Sequence, residues 1–225
     1  MPQITSIKPQ KSPRSRSKSG HITRFNIYID DKFAFGLDEK VIAEQKLKVG
    51  TKLTNDQIEI ILKSETTSRL FDASLKFLQL RSRSEKEIKD YLSKKIAKEE
   101  NIKFAEAAQS PIIPIVLKKL HRYNYVNDRE FAIWWVKSRI KRAKGPRLIR
   151  FELLQKGIDK EIIKKALAAS PAPQKAAVLA LEKKLKSWQN LSQIEFKKKV
   201  VNFLASRGFN WETIEEIFAF LQKKR

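Results

Sequence analysis

The chain of 225 residues contains no cysteine and only two histidines. Without cysteine it has no disulfide framework, no thiolate metal site and no thiol nucleophile. Because His21 and His121 stand alone, imidazole metal sites and histidine-based catalytic triads are nearly excluded. No acidic pair lies in an otherwise apolar motif, so a two-carboxylate site has no candidate either. The sequence therefore predicts no catalytic activity, no metal and no cofactor.

Glycine and long apolar runs are also scarce. None of the six glycines belongs to a phosphate-cradling spacing such as G-x-x-x-x-G-K or G-x-G-x-x-G, which argues against nucleotide hydrolysis. No stretch approaches about 18 consecutive apolar residues, and the first ten residues lack the apolar centre of a secretory signal. We therefore expect a soluble, cytoplasmic protein that does not enter a membrane.

Acidic residues are few beside the basic ones. The chain has 48 Lys and Arg against 25 Asp and Glu, a formal net charge of +23 at pH 7. The surplus is largest in residues 67–170, which hold 25 basic and 12 acidic side chains. A surplus of this size favours a polyanionic partner, such as nucleic acid or a nucleoprotein.

Strand patterns occur only near the start of the chain. Apolar residues alternate from Phe25 to Ile29 and from Phe33 to Leu37, on both sides of a polar turn, which predicts a β-hairpin. Because an isolated hairpin is marginal in water, we expect a further strand around residues 4–7, or packing on helices, to complete it. Residues 8–20 hold five cations and no acid, which predicts a basic, flexible segment.

After residue 38 the patterns are helical, and one of them occurs three times. Residues 88–95, 149–158 and 200–209 each place an aliphatic residue four positions before a leucine, on one helix face. The second and third segments end in a basic residue followed by Gly157 or Gly208, as expected of a helix C-terminal cap. An amphipathic helix precedes each segment and another follows it, so the unit is three helices.

The predicted fold is mainly α. Three tandem three-helix repeats stack into an elongated, curved body, because short helices do not bury a core singly, and a small β-hairpin subdomain precedes them. Helix starts are predicted from capping residues at Asp38, Thr54 with Gln57, Ser84 with Glu87, Asn127 with Glu130, and Ser192 with Glu195. The predicted segments are a basic flexible segment (1–20, with a possible edge strand at 4–7), the hairpin with short helices (21–66), and repeats at 67–121, 122–170 and 171–225.

The densest basic stretch spans a predicted turn at Gly145-Pro146 and has seven cations and no acid within fourteen residues. One interpretation is a solvated face whose cations compensate a helix dipole. We favour an anionic or acidic partner, because Arg147 and Arg150 fall in the first turn of a helix, where the dipole disfavours cations. The stretch comprises Lys137, Arg139, Lys141, Arg142, Lys144, Arg147 and Arg150.

Other candidate contacts lie near equivalent turns. Two smaller basic clusters are Arg81 with Arg83, and Lys197, Lys198 and Lys199. The adjacent Trp134 and Trp135 point about 100° apart on a helix, so at least one is expected in the core, and packing of both there is the simpler expectation. A partly exposed tryptophan beside a basic stripe would instead stack on a base or anchor a protein interface, and Trp134 joins the candidate partner-binding residues for that reason.

Three motifs together resemble the RecX family of bacterial recombinase regulators. They are L-x-x-R-x-R-S-x-x-E-I at 78–88, Y-V-N-D-R-E-F-A at 125–132, and G-P-R-L-I-R-F-E-L-L-Q-K-G-I at 145–158, and the resemblance covers about residues 60–170. Membership would imply three three-helix repeats, no catalysis, and binding in the groove of the RecA–DNA filament, and we expect the chain to be a monomer. It would also imply restraint of the ATPase and strand exchange of RecA, in homologous recombination, DNA repair and the SOS response. The alternative is a helical-repeat protein that binds DNA or RNA directly.

Overall fold

The computed structural model describes residues 1–10 and 23–222, so most of the predicted basic segment lies outside the described residues. Three strands precede eleven α-helices in chain order. The strands are β1 (Ile4–Pro9), β2 (Arg24–Ile29) and β3 (Lys32–Asp38). The helices are α1 (Glu39–Glu44), α2 (Asn55–Leu80), α3 (Glu85–Glu100), α4 (Phe104–Ala107), α5 (Ile112–Arg122), α6 (Asp128–Ile140), α7 (Pro146–Gln155), α8 (Lys160–Ala168), α9 (Pro173–Leu185), α10 (Gln193–Ser206) and α11 (Trp211–Gln222).

The strands form one antiparallel sheet in the order β1-β2-β3, which confirms the hairpin and its third strand. The hairpin turn is Asp30-Asp31, and both residues have positive φ, 48° and 63°. Aspartate tolerates this conformation better than most residues, and such a turn matches the right-handed twist of paired strands. Ile4, Ile27 and Leu37, one from each strand, are fully buried.

Helix α2 closes the apolar side of the sheet. It begins with the predicted capping box, in which Thr54 and Gln57 exchange side-chain to backbone hydrogen bonds of 2.8 and 3.2 Å. It then continues for 26 residues, so the short helix expected there and the first helix of the first repeat are one helix. The carboxylate of its buried Glu65 accepts from the backbone N–H of Asp38 at 2.8 Å and pairs with Arg24 at 2.9 Å, which ties both edges of the hairpin to α2.

The chain divides into two compact units. One comprises Met1–Phe77 and Leu92–Arg122, and the other comprises Leu78–Tyr91 and Tyr123–Arg225. The predicted first repeat therefore contributes to both units, and the predicted segment boundaries remain predictions. The mainly helical fold with a small N-terminal sheet is confirmed, and an elongated, curved body remains a prediction.

The second and third repeats each contain three helices, α6 to α8 and α9 to α11, within the second unit. The predicted leucines Leu153 and Leu204 are fully buried, in two separate apolar clusters. Gly157 and Gly208 have φ of 76° and 84° and cap α7 and α10, as predicted. At both caps the following residue donates its N–H to the carbonyl of that leucine at 3.1 Å.

The first repeat departs from this pattern at the end of its middle helix. Ile96 stands where alignment with the other repeats places Gly157, and it is buried. Because an apolar, helix-compatible residue replaces glycine, α3 continues to Glu100. Asn101, with φ of 54°, then takes the left-handed position. The extra residues form the short helix α4 before α5 begins.

Candidate partner-binding surface

The start of α3 packs on the end of α7, and we call this contact the first junction. The hydroxyl of Ser84 donates to the carbonyl of Lys156 at 2.8 Å, and the ammonium of Lys86 donates to the carbonyl of Gln155 at 2.9 Å. Ser84 also accepts from the N–H of Glu87 at 3.2 Å, as its predicted role as a helix N-cap requires. Side chains from the first repeat therefore satisfy carbonyls that the last turn of α7 leaves unpaired.

The start of α7 packs on the end of α10 in the same sense, and this contact is the second junction. Here the hydrogen bonds join backbone to backbone: Gly145 donates to Arg207 at 2.8 Å, and Arg147 donates to Gly208 at 3.0 Å. A Cβ on Gly145 would lie 2.4 Å from backbone atoms of Gly208. The guanidinium of Arg207 also donates to the carbonyl of Ala143 at 3.3 Å. The turn between α6 and α7 is therefore held against the third repeat.

This turn carries most of the predicted basic stretch on its outside. It is tight, because Ala143 turns the chain with φ of 53° and is buried against the core of the third repeat. The cations around it point outward, and only Lys144 is half-buried. Among the described residues, none forms an ion pair with any member of the set, which we call the basic face. The basic face consists of Lys137, Lys141, Arg142, Lys144, Arg147 and Arg150.

Arg139 belongs to the same stretch but not to the basic face. Its Nε lies 2.5 Å from Glu152, and its guanidinium carbon lies 3.9 Å from the centre of the Trp135 ring. The indole N–H of Trp135 donates to the same carboxylate at 2.8 Å. Arg139 is therefore not available to a partner in the way that the basic stretch predicted, because Glu152 of α7, 13 positions further along the chain, forms an ion pair with it.

Trp135 lies at the centre of a second charged group, and we call the space above it the Trp135 cleft. The ammonium of Lys156 is 4.3 Å from the ring centre, and the guanidinium carbon of Arg81 is 5.9 Å from it. Glu87 joins these cations, at 2.7 Å from Arg81 and 2.8 Å from Lys156. The charged groups around Trp135 therefore neutralise one another.

The Trp135 cleft has a volume of about 420 Å³. The cleft is lined by as many acidic as basic side chains, so it does not attract an anion by net charge. The lining residues are Lys86, Glu87, Asp90, Trp135, Arg139, Glu152, Gln155 and Lys156.

Electrostatics confirm that the cleft is an internal ionic network. Burial opposes ionisation of Glu87, but hydrogen bonds from Arg81 and Lys156 outweigh it and lower the pKa of Glu87 to about 2. Burial, and then the neighbouring charge of Arg81, lower the pKa of Arg83 below its ordinary value. Arg81 is thus held at the first junction by Glu87, whereas the sequence suggested a cation available to a partner.

The two adjacent tryptophans have different surroundings. Trp135 is 7% exposed and stacks on Phe131, with ring centres 5.6 Å apart. Trp134 is 38% exposed, and its ring centre lies 5.8 Å from that of Phe131 and 5.9 Å from that of Trp135. Packing of both in the core was therefore the wrong expectation. Trp134 is the partly exposed tryptophan that the alternative required.

The third basic cluster lies on the exposed side of α10. Lys197 is 5.5 Å from the centre of the Phe218 ring, so part of its side chain covers the third repeat. Hydrogen bonds from Ser192 lower the pKa of Glu195, and the charge of Lys199 lowers it to a smaller extent. Lys198 and Lys199 are exposed on the same helix as Lys197. The cluster therefore has local structural contacts that the basic face lacks.

The outer side of α7 carries two apolar residues that the motifs did not single out. Phe151 is 56% exposed and Leu154 is 41% exposed. They follow Arg147 and Arg150 at positions that share one helix face. The signal was present in the sequence as that spacing, but a phenylalanine and a leucine at helical spacing are more often part of a core.

Residues 1–10 and 23–222 contain no group of three or more His, Cys, Asp or Glu side chains placed to hold a metal ion. Within the same ranges, no helix has both the length and the apolar character needed to cross a membrane.

Known protein families match three parts of the chain. The RecX N-terminal domain matches residues 2–54, which includes the sheet that the sequence motifs left outside the resemblance. The second three-helix domain of RecX matches residues 127–167, and the third matches residues 173–218. These two matches coincide with α6 to α8 and α9 to α11.

Whole-chain relatives and solved structures agree with the domain matches. Regulatory protein RecX of Bacillus subtilis (strain 168) is 36% identical over 217 residues, which are 95% of this chain and 75% of the relative. Its counterpart in Bacillus pumilus (strain SAFR-032) is 32% identical, over 96% of this chain and 76% of the relative. A crystal structure of regulatory protein RecX superposes with a TM-score of 0.69 at 28% identity, covering 96% of this chain and 98% of that one. The relatives are regulators and not enzymes, and this chain belongs to the RecX family of regulatory proteins.

Proposed function

We propose that this chain regulates the RecA recombinase by binding in the groove of the RecA–DNA filament, where it restrains ATP hydrolysis and strand exchange. The observation that carries the proposal is the basic face, six cations on the end of α6, the following turn and the start of α7, with no ion-pair partner among the described residues. Exposed cations repel each other, so the stability of the fold does not account for their clustering. A filament of protein and DNA offers both phosphates and acidic side chains to such a surface.

The position of the basic face supports a role in binding. The second junction holds its turn by backbone hydrogen bonds of 2.8 and 3.0 Å. A surface on a rigid turn loses little conformational entropy when it meets a partner, apart from that of the long side chains themselves. Trp134, which is 38% exposed on the preceding helix, adds an aromatic side chain suited to an interface.

The test is RecA ATPase and strand exchange, with and without the purified chain. A variant with Gln at Lys141, Arg142, Lys144, Arg147 and Arg150 should fold as well as the wild type, because it relieves repulsion, but should restrain RecA less. The matched control has Gln at Lys160, Lys164 and Lys165, which are exposed on α8. Equal restraint of RecA by both variants would remove the basic face from the proposal.

The second candidate function is direct binding to DNA or RNA, which the net charge of +23 favours. The salt dependence of binding distinguishes this function from binding to the RecA filament. A protein held by about six phosphate contacts loses roughly 10³-fold in affinity for duplex DNA between 50 and 200 mM salt. Tight binding to RecA filaments that survives this titration favours the protein-directed function. Binding that disappears, with or without RecA present, favours the nucleic acid.

A further inference from the structure

The outer face of α7 combines charge with exposed aromatic surface. Arg147, Arg150, Phe151 and Leu154 follow the helical spacing that places residues on one side, and all four are exposed. Phe151 is 56% exposed, one turn after Arg147 and next to Arg150 on a well-formed helix. Among the described residues, neither arginine has an acidic partner.

The other two repeats show that the fold does not require this arrangement. Alignment on the buried aliphatic residues of the middle helices places Asp90 and Asn202 where the second repeat has Phe151. Both are polar, and the helices that carry them form equally well. The second repeat therefore exposes a phenylalanine where the other two repeats have polar residues. The packing of the chain does not explain this difference.

We propose that Phe151, flanked by Arg147 and Arg150, is a stacking platform for an unpaired base of single-stranded nucleic acid. Every base presents a π-face to an aromatic ring once it is unpaired, while arginines neutralise the adjacent phosphates. Duplex DNA hides these base faces in its stack, so the platform selects single strands. This inference rests on the second candidate function, direct binding to nucleic acid, and specifies the kind of strand and the side chains that hold it.

The surroundings of α7 favour a polyanion over an acidic protein segment. No acidic residue occurs between Glu130 and Glu152, and the basic face continues the positive surface through the preceding turn. The phosphate contacts come from side chains, because the N–H of Arg147 is already donated to Gly208 and the helix end is covered there. Base stacking on Phe151 and phosphate binding by the two arginines are therefore separate parts of the platform.

The experiment measures binding of a fluorescently labelled oligothymidylate to the full chain by anisotropy, with no RecA present. Phe151→Asn, which copies Asn202 of the third repeat, should weaken binding about tenfold, within the range for loss of one stacked base. Phe151→Trp should bind as tightly as the wild type or more tightly. Phe151→Leu keeps apolar surface but lacks a π-face, so it should bind as weakly as Phe151→Asn.

Arginine variants test the second part of the platform. R147Q combined with R150Q should lower the slope of log affinity against log salt by about 1.4, at roughly 0.7 per phosphate contact on a single strand. Gln at Lys160 and Lys164 on α8 is the matched control and should leave binding unchanged. Circular dichroism of each variant shows whether the helices remain.

The outcomes separate the platform from the proposed function. Binding by Phe151→Leu at the wild-type level would identify an apolar docking surface for protein and overturn the platform. Wild-type binding by Phe151→Asn, or no oligonucleotide binding at all, would overturn it as well. RecA restraint is measured independently on the wild type and on the same variants. A wild-type chain that binds the oligonucleotide but does not restrain RecA would contradict only the filament proposal, whereas variants with weakened oligonucleotide binding and unchanged restraint would support the platform.

Discussion

The two junctions between middle helices repeat one contact with different chemistry. At the first junction, the side chains of Ser84 and Lys86 reach the carbonyls that end α7, and Glu87 adds an ionic bridge to Lys156. At the second, the backbones of Gly145 and Arg207 are hydrogen-bonded directly, and the guanidinium of Arg207 adds a bond to the carbonyl of Ala143. Side chains can adjust, titrate and be screened by salt, whereas two backbones in contact can do none of these. The same packing geometry is therefore adjustable at one junction and rigid at the other.

Gly208→Ala should have the largest effect, because it obstructs the rigid junction. Its Cβ would lie 2.4 Å from Cβ of Leu148 and 2.5 Å from the Leu148 nitrogen, at a φ of 84°. Left-handed strain of about 1 to 2 kcal/mol adds to overlap of a similar size, so we expect a loss of about 3 kcal/mol in the free energy of unfolding. Chemical denaturation measures it.

Gly157→Ala is the matched variant at the first junction. Its φ of 76° brings similar backbone strain, but the atom nearest to the new Cβ would be Cβ of Lys86 at 2.8 Å, compared with 2.4 Å at Gly208. Because this overlap is smaller, the loss should be about 2 kcal/mol, less than that of Gly208→Ala. Equal losses from the two alanine variants would contradict the distinction between an adjustable and a rigid junction.

Glu87→Gln tests the ionic bridge and should cost about 1 to 2 kcal/mol, since Arg81 and Lys156 lose their shared carboxylate in a partly buried site. Glu195→Gln is the matched control. Glu195 occupies the same third position of a capping box, after Ser192, but bridges no second repeat. The melting temperature of the control should fall less than that of Glu87→Gln. Added salt should reduce the difference in melting temperature between wild type and Glu87→Gln.

The stability of wild type and of Glu87→Gln should also depend differently on pH. The pKa of Glu87 falls from an ordinary 4.5 to about 2 in the fold. A depressed carboxyl pKa stabilises the fold above the unfolded value, and this contribution is lost as the pH falls from about 5 to about 2. The stability advantage of wild type over Glu87→Gln should therefore be full at pH 7 and nearly absent at pH 2. An advantage that stays constant over this interval would show that the bridge is not ionic.

Ser84→Ala should have the smallest effect, about 1 kcal/mol, through loss of the N-cap of α3 and of the hydrogen bond to Lys156. Ser192→Ala removes the corresponding cap of α10, where Ser192 is exposed and bonds only within its own turn. The difference between the two alanine variants in urea denaturation gives the part that belongs to the junction. No difference would mean that Ser84 acts only as a cap.

Local signals predicted most of the secondary structure, because they depend on residues a few positions apart. Asp38, Asn127 and Ser192 cap the helices they were expected to cap, and Gly157 and Gly208 end theirs. The exception is instructive. Residues 55–80 form one helix where separate helices were expected, because nothing between the two apolar patterns breaks a helix.

The candidate site was predictable only in part. The basic face follows from a run of cations without acids, which is visible in the sequence. The sequence does not show that Arg139 and Arg81 are held in ion pairs, because the tertiary structure brings their acidic partners to them beside Trp135.

The sequence by itself determined the helix ends, the hairpin, the repeated unit and the sign of the charged surface, since each depends on short-range spacing or on composition. Tertiary structure alone decided which charges are neutralised. Glu87 and Lys156 lie 69 positions apart and meet at 2.8 Å only because α3 packs on the end of α7. It also decided that Gly145 and Gly208 touch through backbone, since the closeness of two helices depends on how their repeats stack and not on either sequence segment alone.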